Sequence, residues 1–326
     1  MKFLIIRFSS IGDIVLTTPI VRVLKNAGHE VHYITKEKFK AVIDSNPYID
    51  RIHTIHHELS EVIGDLKAEE FDYAIDLHNN IRSQILISKL KLPKRSFNKL
   101  NIEKWILVNL KLNTLPDVHI VDRYLDTLSD FEIKNDGKGL DFFIDEQSKL
   151  AINKLTPELA KAFNVMVVGG NFFTKQIPND LIIEIIDSSK IPFVLIGGPA
   201  DKEKADEIMA KTSTVCANAC GELSLKESAY FIEKANAIVS SDTGMMHIAA
   251  AFNKPIISLW GNTIPEFGMY PYLIEEKKHY NHIFEVSGLK CRPCSKIGFD
   301  KCPKKHFKCM LNQDIEKIKE CLNKYS

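Results

Sequence analysis

Near the start of the chain, Ile5-Ile6-Arg7-Phe8-Ser9-Ser10-Ile11-Gly12-Asp13 runs from an apolar strand through a small-residue turn and delivers one carboxylate at the start of a helical pattern. At the carboxyl end of a parallel strand such a carboxylate can act as a general base; it can equally be a helix cap or dipole partner. A second segment, Val239-Ser240-Ser241-Asp242-Thr243-Gly244-Met245-Met246-His247, again leads from a strand into a helix. Free N–H groups and the positive dipole end at that turn make an anion site, and Gly244 admits a phosphate closely. The plainer alternative is a capped core helix, with Asp242 or Thr243 as cap and His247 buried beneath it.

The elements that would position these groups alternate regularly. Phe3 to Ile6, Val31 to Ile34 and Tyr73 to Leu77 read as strands with helices between them, which predicts a parallel sheet. The first helix is expected to reach Ala27, with Thr18-Pro19 as cap and first position or as a kink, and Gly28 as its stop. The alternation restarts with Val165 to Val168, Phe193 to Ile196, Ala237 to Val239 and Ile256 to Leu259, each followed by a turn. Between the halves, a charged stretch over Asp141 to Lys161 begins a helix near Asp145 and is expected to carry the crossing between domains. The chain therefore reads as α/β, with two doubly wound Rossmann-like domains, 1–145 and 146–311. The terminal segment 312–326 places Ile315, Ile318, Leu322 and Tyr325 at helical spacing and is expected to pack back on the first domain.

Composition narrows the function classes. At 326 residues and 45% hydrophobic content the chain can bury two cores, which excludes a disordered protein. Lys plus Arg number 43 against 42 acidic residues, so no global charge argues for nucleic acid as a partner. The start shows no charged leader or apolar signal core, and no apolar run reaches transmembrane length, so a cytoplasmic protein is expected. Seven cysteines, with Cys291, Cys294, Cys302 and Cys309 close together, suit reduced thiols or a metal site better than a disulfide framework. Four thiolates could bind a structural zinc, with His306 as a competing ligand, although the second pair is spaced more widely than is usual.

The chain resembles the heptosyltransferases, glycosyltransferase family 9. The resemblance is carried by Arg7-Phe8-Ser9-Ser10-Ile11-Gly12-Asp13 with Pro19, Asp76-Leu77-His78-Asn79-Asn80-Ile81-Arg82-Ser83, Thr174-Lys175-Gln176-Ile177-Pro178, and the block from Asp242 to His247. It implies GT-B architecture, two Rossmann-like domains facing a central cleft, and an inverting, metal-independent transfer of a heptose or related sugar. The donor would be a nucleotide-sugar, ADP-heptose in the best-known members, and the acceptor the core of a lipopolysaccharide or lipooligosaccharide. No cofactor is required.

Under this resemblance Asp13 is the base, and Ser10 and Gly12 lie with the acceptor. On the donor side stand Thr174, Lys175, Asp242, Thr243, Gly244, Met246 and His247, with Lys175 on the phosphates. Glu203 matches a ribose-contacting carboxylate, or is an ordinary surface glutamate. Ile177 stands where the family often has tryptophan, which implies an altered pocket wall. Asp76, His78, Arg82, Ser83, His119 and Arg123 are expected to meet the acceptor; caps and salt bridges would explain them as well. Between Ser88 and Asn113 seven Lys or Arg residues accompany one acid, Glu103, with Phe97 and Trp105 interleaved. Such a surface suits an anionic glycolipid and peripheral contact with the cytoplasmic face of an inner membrane.

Two other classes share the architecture. A nicotinamide-dependent oxidoreductase would want G-x-G-x-x-G where this chain has Ser9-Ser10-Ile11-Gly12-Asp13 with its single glycine. A non-catalytic nucleotide-sugar binder would not need both Asp13 and Lys175.

Overall fold

Phe3, Leu4, Ile5 and Ile6 of the first strand, β1 (Lys2–Ile6), are all fully buried, the pattern of a parallel strand covered on both faces. The computed structural model describes residues 1–154, 159 and 161–325. They divide into two compact units, one of Met1–Lys99 with Val118–Phe143, the other of Leu100–Asp117 with Ile144–Ser326.

In the first unit, β1 is followed by α1 (Ile11–Val15), α2 (Thr18–Asn26), β2 (Glu30–Lys36), β3 (Arg51–Ile55), α3 (Ser60–Ala68), β4 (Tyr73–Asp76), α4 (Ile81–Leu90) and β5 (Lys94–Ser96). The strands form a parallel sheet in the order β3-β2-β1-β4-β5. The expected first helix is two: the chain restarts at Thr18 with Pro19 in the first turn, where its missing N–H leaves no hydrogen bond unmade. Gly28 follows in the left-handed region (φ +82°) and ends the pattern, as expected. On α2 the buried Arg22 guanidinium binds Asp136 (2.8 Å), Asp141 and the carbonyl of Gly139 (2.8 Å), which fastens the last stretch of the unit to its sheet.

The helices α5 (Asn101–Leu110) and α6 (Ile120–Leu125) part company: α5 clusters with the second unit and α6 with the first. The basic segment Ser88 to Asn113 is therefore divided between the two units. Its Phe97 is buried edge-on against Tyr124, with ring centroids 4.7 Å apart, and Arg95 pairs with Asp130, while Trp105 is exposed on α5.

In the second unit the order is α7 (Glu146–Lys149), β6 (Asn164–Val167), α8 (Asn179–Asp187), β7 (Phe193–Ile196), α9 (Lys202–Met209), β8 (Cys216–Asn218), α10 (Leu225–Lys234), β9 (Ile238–Ser241), α11 (Gly244–Ala251), β10 (Ile256–Trp260), β11 (Asn281–Glu285), α12 (Lys308–Leu311) and α13 (Ile315–Leu322). Its parallel sheet runs β11-β10-β9-β6-β7-β8. The expected charged crossing over Asp141 to Lys161 begins with Asp145 capping α7, but 155–158 and 160 lie outside the described residues.

The terminal helix corrects one expectation. Ile318, Cys321 and Leu322 of α13 pack into the core of the second unit, against α8 and β10, and not on the first unit. The apolar stripe was real, but a helix that follows the last strand of a sheet reaches that sheet's open face with the shortest connection.

Both sheets share one topological device. In the first unit β1, β2 and β3 run outward, then β4 joins β1 on its other side; in the second, β6, β7 and β8 run outward, then β9 joins β6 on its other side. At such a reversal the loops at the carboxyl ends of the two central strands diverge and leave a crevice, where open α/β sheets bind ligands.

Candidate active site

The first reversal lies between β1 and β4, and Asp13 stands beside it. Ser10 is the N-cap of α1 and Asp13 its third residue. The Asp13 Oδ2 accepts from the Ser10 N–H (3.1 Å) and hydroxyl (2.7 Å), while Oδ1 lies 2.6 Å from Nη2 of Arg7. Arg7, the last residue before the turn, is itself buried and donates to the carbonyls of Ser9 (2.7 Å) and Leu77 and to the Tyr124 hydroxyl (3.2 Å). Burial works against its charge, but the Asp13 carboxylate together with Tyr124 and Tyr33 more than offsets it, so its pKa is raised and it stays cationic. The Tyr124 hydroxyl, pushed up to about 12 by burial, stays neutral beside it. Asp13 is thus a cap and more than a cap: its side chain keeps 22% of its exposure, held by a hydroxyl on one oxygen and a guanidinium on the other. Gly12 is buried within α1.

The other expected residues of this unit divide into two sorts. Asp76, at the end of β4, is fully buried and accepts four hydrogen bonds, from the N–H groups of His78 (3.1 Å) and Asn79 (2.7 Å), the Ser83 hydroxyl (2.7 Å) and Gln84 Nε2 (3.1 Å). Asp76 and Ser83 therefore build the β4–α4 turn. His119 caps α6 by accepting from the Val121 N–H (3.1 Å), and Arg123 donates to the Asn98 carbonyl (3.3 Å), both buried. His78 and Arg82 flank Phe8, which follows β1. His78 packs its ring 5.0 Å from Phe8, and its Nδ1 is buried with no hydrogen-bond partner among the described residues. Burial, with the charges of Arg7 and Lys99, pushes its pKa down to about 4. Arg82 donates to the His57 carbonyl (2.7 Å) and lies over the Phe8 ring.

The second reversal lies between β6 and β9. Lys175, on the loop after β6, reaches Asp242 after β9: Nζ and Oδ2 are 2.6 Å apart, and the same oxygen accepts from the Thr263 hydroxyl (2.9 Å). Thr243 is the extended N-cap of α11, and its side chain caps nothing; its hydroxyl bonds the Ser240 hydroxyl (3.0 Å). The first-turn N–H groups of α11, beginning at Gly244, are thereby left for another acceptor, next to the lysine.

Other donor-side expectations are placed differently. Thr174 is buried and exchanges hydrogen bonds with Phe299 through its hydroxyl, so it clamps the 295–299 turn. Met246 and His247 lie on the buried face of α11, and Ile177 is in the second core instead of on an open wall. Glu203 is exposed in the first turn of α9 and makes no ion pair with any of the described residues.

Residues not singled out from the sequence complete this cluster. Thr263 bonds Asp242, and Arg292 braces the same loop through the carbonyls of Gly261 and Thr263 (2.9 Å) while pairing with Glu285 (2.7 Å). Between them Asn262 is 1% exposed with neither side-chain polar atom bonded among the described residues, and the Ser241 hydroxyl at the end of β9 is in the same state. Buried polar groups are ordinarily satisfied, so two adjoining exceptions mark a place completed by something else. The rule that ligands gather at strand carboxyl ends could have found Asn262 and Thr263, since both follow β10 directly.

The four thiols proposed for zinc lie near enough to act on one another's charge, but among the described residues no three of them converge within 4.8 Å, as ligands of one ion would. The Cys294 thiol donates to the Cys291 carbonyl (3.0 Å), and the Cys291 sulfur lies 3.8 Å from Nε2 of His306. Cys309 is buried in the second core, and burial pushes the Cys294 and Cys309 thiols up to about 11. The one group of three or more metal-ligating side chains that converges among the described residues is His32, His53 and Glu69, far along the first sheet from Asp13, where Lys2 and Arg51 already hold the glutamate.

Comparison with known proteins gives the family and the fold. Residues 60–297 match the profile of glycosyltransferase family 9 (heptosyltransferase). Lipopolysaccharide heptosyltransferase 1 of Campylobacter coli is 25% identical over 81% of this chain and 84% of its own. Among solved structures, a family 9 glycosyl transferase from Veillonella parvula DSM 2008 matches with a TM-score of 0.78 at 22% identity, covering 98% of this chain and 95% of that one. The E. coli heptosyltransferase WaaC with ADP matches with a TM-score of 0.69 at 18% identity over 100% of both chains. The structural likeness shows the fold, the α/β architecture with two parallel sheets of the GT-B heptosyltransferases.

Proposed function

The chain belongs to glycosyltransferase family 9, the heptosyltransferases, and on that premise we propose that it moves a heptose or related sugar from ADP-heptose to the core of a lipopolysaccharide or lipooligosaccharide, inverting the anomeric centre without a metal. The observation that carries the reading is the pairing of chemistry with topology. One reversal holds an oriented carboxylate, and the other holds a lysine beside an uncapped helix start.

In the reaction so read, the acceptor hydroxyl oxygen attacks the anomeric carbon and the bond to the diphosphate oxygen breaks, its electron pair leaving with the nucleoside diphosphate. The hydroxyl proton passes to Asp13. A single displacement at one carbon inverts it. Arg7 orients the carboxylate, and proton transfer belongs late, when bond formation has made the hydroxyl acidic. The departing charge is met by Lys175 and by the N–H groups at Thr243 and Gly244, fixed donors that need no reorganisation as charge develops. A diphosphate outbids the single Asp242 carboxylate for the lysine, and Asp242 holds that lysine in place before the donor arrives. His78, with its unbonded Nδ1, is the acceptor-side contact best supported by its surroundings.

The test is transfer by Asp13→Ala with donor binding measured separately by calorimetry. Turnover should fall by about 10²-fold or more while donor affinity stays within a few-fold. Unchanged turnover would remove Asp13 from the reaction.

A further inference from the structure

We infer that His32, His53 and Glu69, at the β2–β3 edge of the first sheet, form a binding site for a divalent transition-metal ion of the zinc kind. His32 on β2 and His53 on β3 point to one face of the sheet, because His53 pairs with Ile34, two residues on from His32. Both are buried, with Phe71 edge-on to their rings at centroid distances of 5.1 and 6.2 Å. Glu69 directly follows α3 and reaches them from the connection that leads to β4. The donor atoms converge. His32 Nδ1 is 3.0 Å from His53 Nε2 and 3.8 Å from Glu69 Oε2, and all three lie within 4.8 Å of one another.

A zinc ion bound at about 2.0–2.2 Å in a tetrahedral shell sets neighbouring ligand atoms about 3.3–3.5 Å apart. The two shorter separations here bracket that spacing, so small side-chain shifts complete the shell. The outer contacts fit as well. Glu30 Oε1 lies 2.9 Å from His32 Nε2, so this carboxylate accepts that N–H and leaves the Nδ1 lone pair facing His53 and Glu69. A carboxylate behind a ligating imidazole fixes its tautomer in this way. Arg51 holds Glu69 through the other oxygen, Oε1, which keeps Oε2 turned to the imidazoles. Lys2 is the competitor: its Nζ lies 2.9 Å from Glu69 Oε2 and 3.1 Å from Glu30 Oε1. It is the first residue of β1 and its side chain is 22% exposed, so it turns to water as the ion enters.

The donor set selects the class of ion. Two imidazoles and one carboxylate suit zinc and its first-row neighbours, whereas calcium and magnesium want shells of oxygen. Three protein ligands leave the fourth tetrahedral position to water. Bound there, the ion ties β2, β3 and the α3–β4 connection together. It is a brace and stands outside the proposed transfer reaction. His32 lies opposite Leu4, ahead of the carboxyl end of β1, whereas Asp13 follows that end. The inference therefore goes beyond the proposed function and uses none of its residues.

The experiment is titration of the full chain, stripped with chelator, with cobalt(II) followed by absorption and with zinc(II) followed by calorimetry. The expected result is the visible bands of a tetrahedral nitrogen–oxygen shell without thiolate charge transfer, and a melting midpoint that rises with zinc. Cys291→Ser with Cys294→Ser should leave those bands in place. His53→Gln should abolish them, with circular dichroism of the stripped protein checking its fold. Two further variants, at positions that reach solvent, do not depend on that fold and should shift affinity in opposite directions. Glu30→Gln should weaken zinc binding roughly 10- to 100-fold, the scale for outer partners of ligating histidines. Lys2→Gln should strengthen it severalfold, because a like charge beside the ion is removed. No cobalt bands, bands with thiolate charge transfer that vanish in the cysteine variant, or zinc affinity unchanged in both Glu30→Gln and Lys2→Gln would overturn the inference. Sugar transfer plays no part in the readout, so failure here and failure of the proposed function are distinguishable.

Discussion

If Lys175 holds the donor as proposed, its contact with Asp242 ties folding stability to donor binding, and two substitutions can separate them. The side chains are 18% and 12% exposed and 2.6 Å apart, and among the described residues that Asp242 oxygen otherwise meets only the Thr263 hydroxyl. Lys175→Met keeps the length of the side chain and removes its charge, leaving Asp242 as a largely buried anion with one neutral donor. Breaking a fully buried pair in this way costs about 3–5 kcal/mol; partial exposure reduces it to about 2 kcal/mol here. Adding Asp242→Asn removes the stranded charge and should recover most of that loss. Donor binding should not follow. The lysine's charge-assisted bond to phosphate contributes about 1.5–3 kcal/mol, so both the single and the double variant should bind ADP roughly 10- to 100-fold more weakly. Guanidinium unfolding midpoints and ADP titration calorimetry on the four proteins of the cycle measure the two quantities. Equal stability of the single and double variants, or restored ADP affinity in the double, would refute the assignment of Lys175 to the diphosphate.

Arg7→Met removes the guanidinium from Asp13, Tyr124 and two carbonyls, and should cost about 3 kcal/mol and several degrees in melting temperature, read by differential scanning calorimetry. His78, held near 4 by burial and by the charges of Arg7 and Lys99, is neutral in the folded protein but takes up a proton on unfolding below its ordinary value. Stability should therefore be lost as pH falls from about 6.5 to about 4, by roughly 2–3 kcal/mol from this group, and urea titrations at both ends of that window should show the loss shrink in His78→Gln. Gly261→Ala would bring a Cβ to 2.7 Å from the Thr174 carbonyl and 2.9 Å from Met310, so a destabilisation of about 1–3 kcal/mol is expected in thermal melts, with Lys175 displaced and ADP affinity reduced.

How far the sequence disclosed the fold depended on burial. The central strands β1, β6, β7, β9 and β10 are runs of residues buried on both faces, and such runs are visible as unbroken apolar stretches. The edges are different. Lys94–Ser96 in β5 and Asn281–Glu285 in β11 carry charge and partial exposure, as strands must that present an unpaired edge, and they give no apolar signal. Partners across space were equally hidden. The stripe on α13 was legible, but which sheet it covers was not; α5 follows β5 directly in sequence and still clusters with the other unit.

For the sites, the residues at strand carboxyl ends were legible because topology alone sends them to the reversal, which is why Asp13, Lys175 and Asp242 fall there. The residues that orient them were not, because a hydrogen bond between Arg7 and Asp13, or between Thr263 and Asp242, depends on side-chain placement that spacing does not encode. The same limit explains Asp76 and Ser83: they sit at the reversal, yet four hydrogen bonds to Asp76 commit them to the turn.

In the proposed reaction Asp13 would be cap and base at once, because both roles use the same contacts. The capping contacts from Ser10 take one carboxylate oxygen and the Arg7 guanidinium meets the other, so the bonds that start α1 also set the direction of the carboxylate. A base that must receive a proton from a hydroxyl at one angle gains from such restraint, since a freely rotating carboxylate would have to be ordered in each turnover. The other reversal has the same construction with the charges exchanged: there a cation is restrained by a carboxylate, which a hydroxyl steadies in turn. In each case the restrained group lies beside the ends of two diverging strands, and the group that restrains it comes from the same unit. Each half of the chemistry is therefore organised by its own sheet, so substitutions such as Arg7→Met and Lys175→Met should have additive effects on stability.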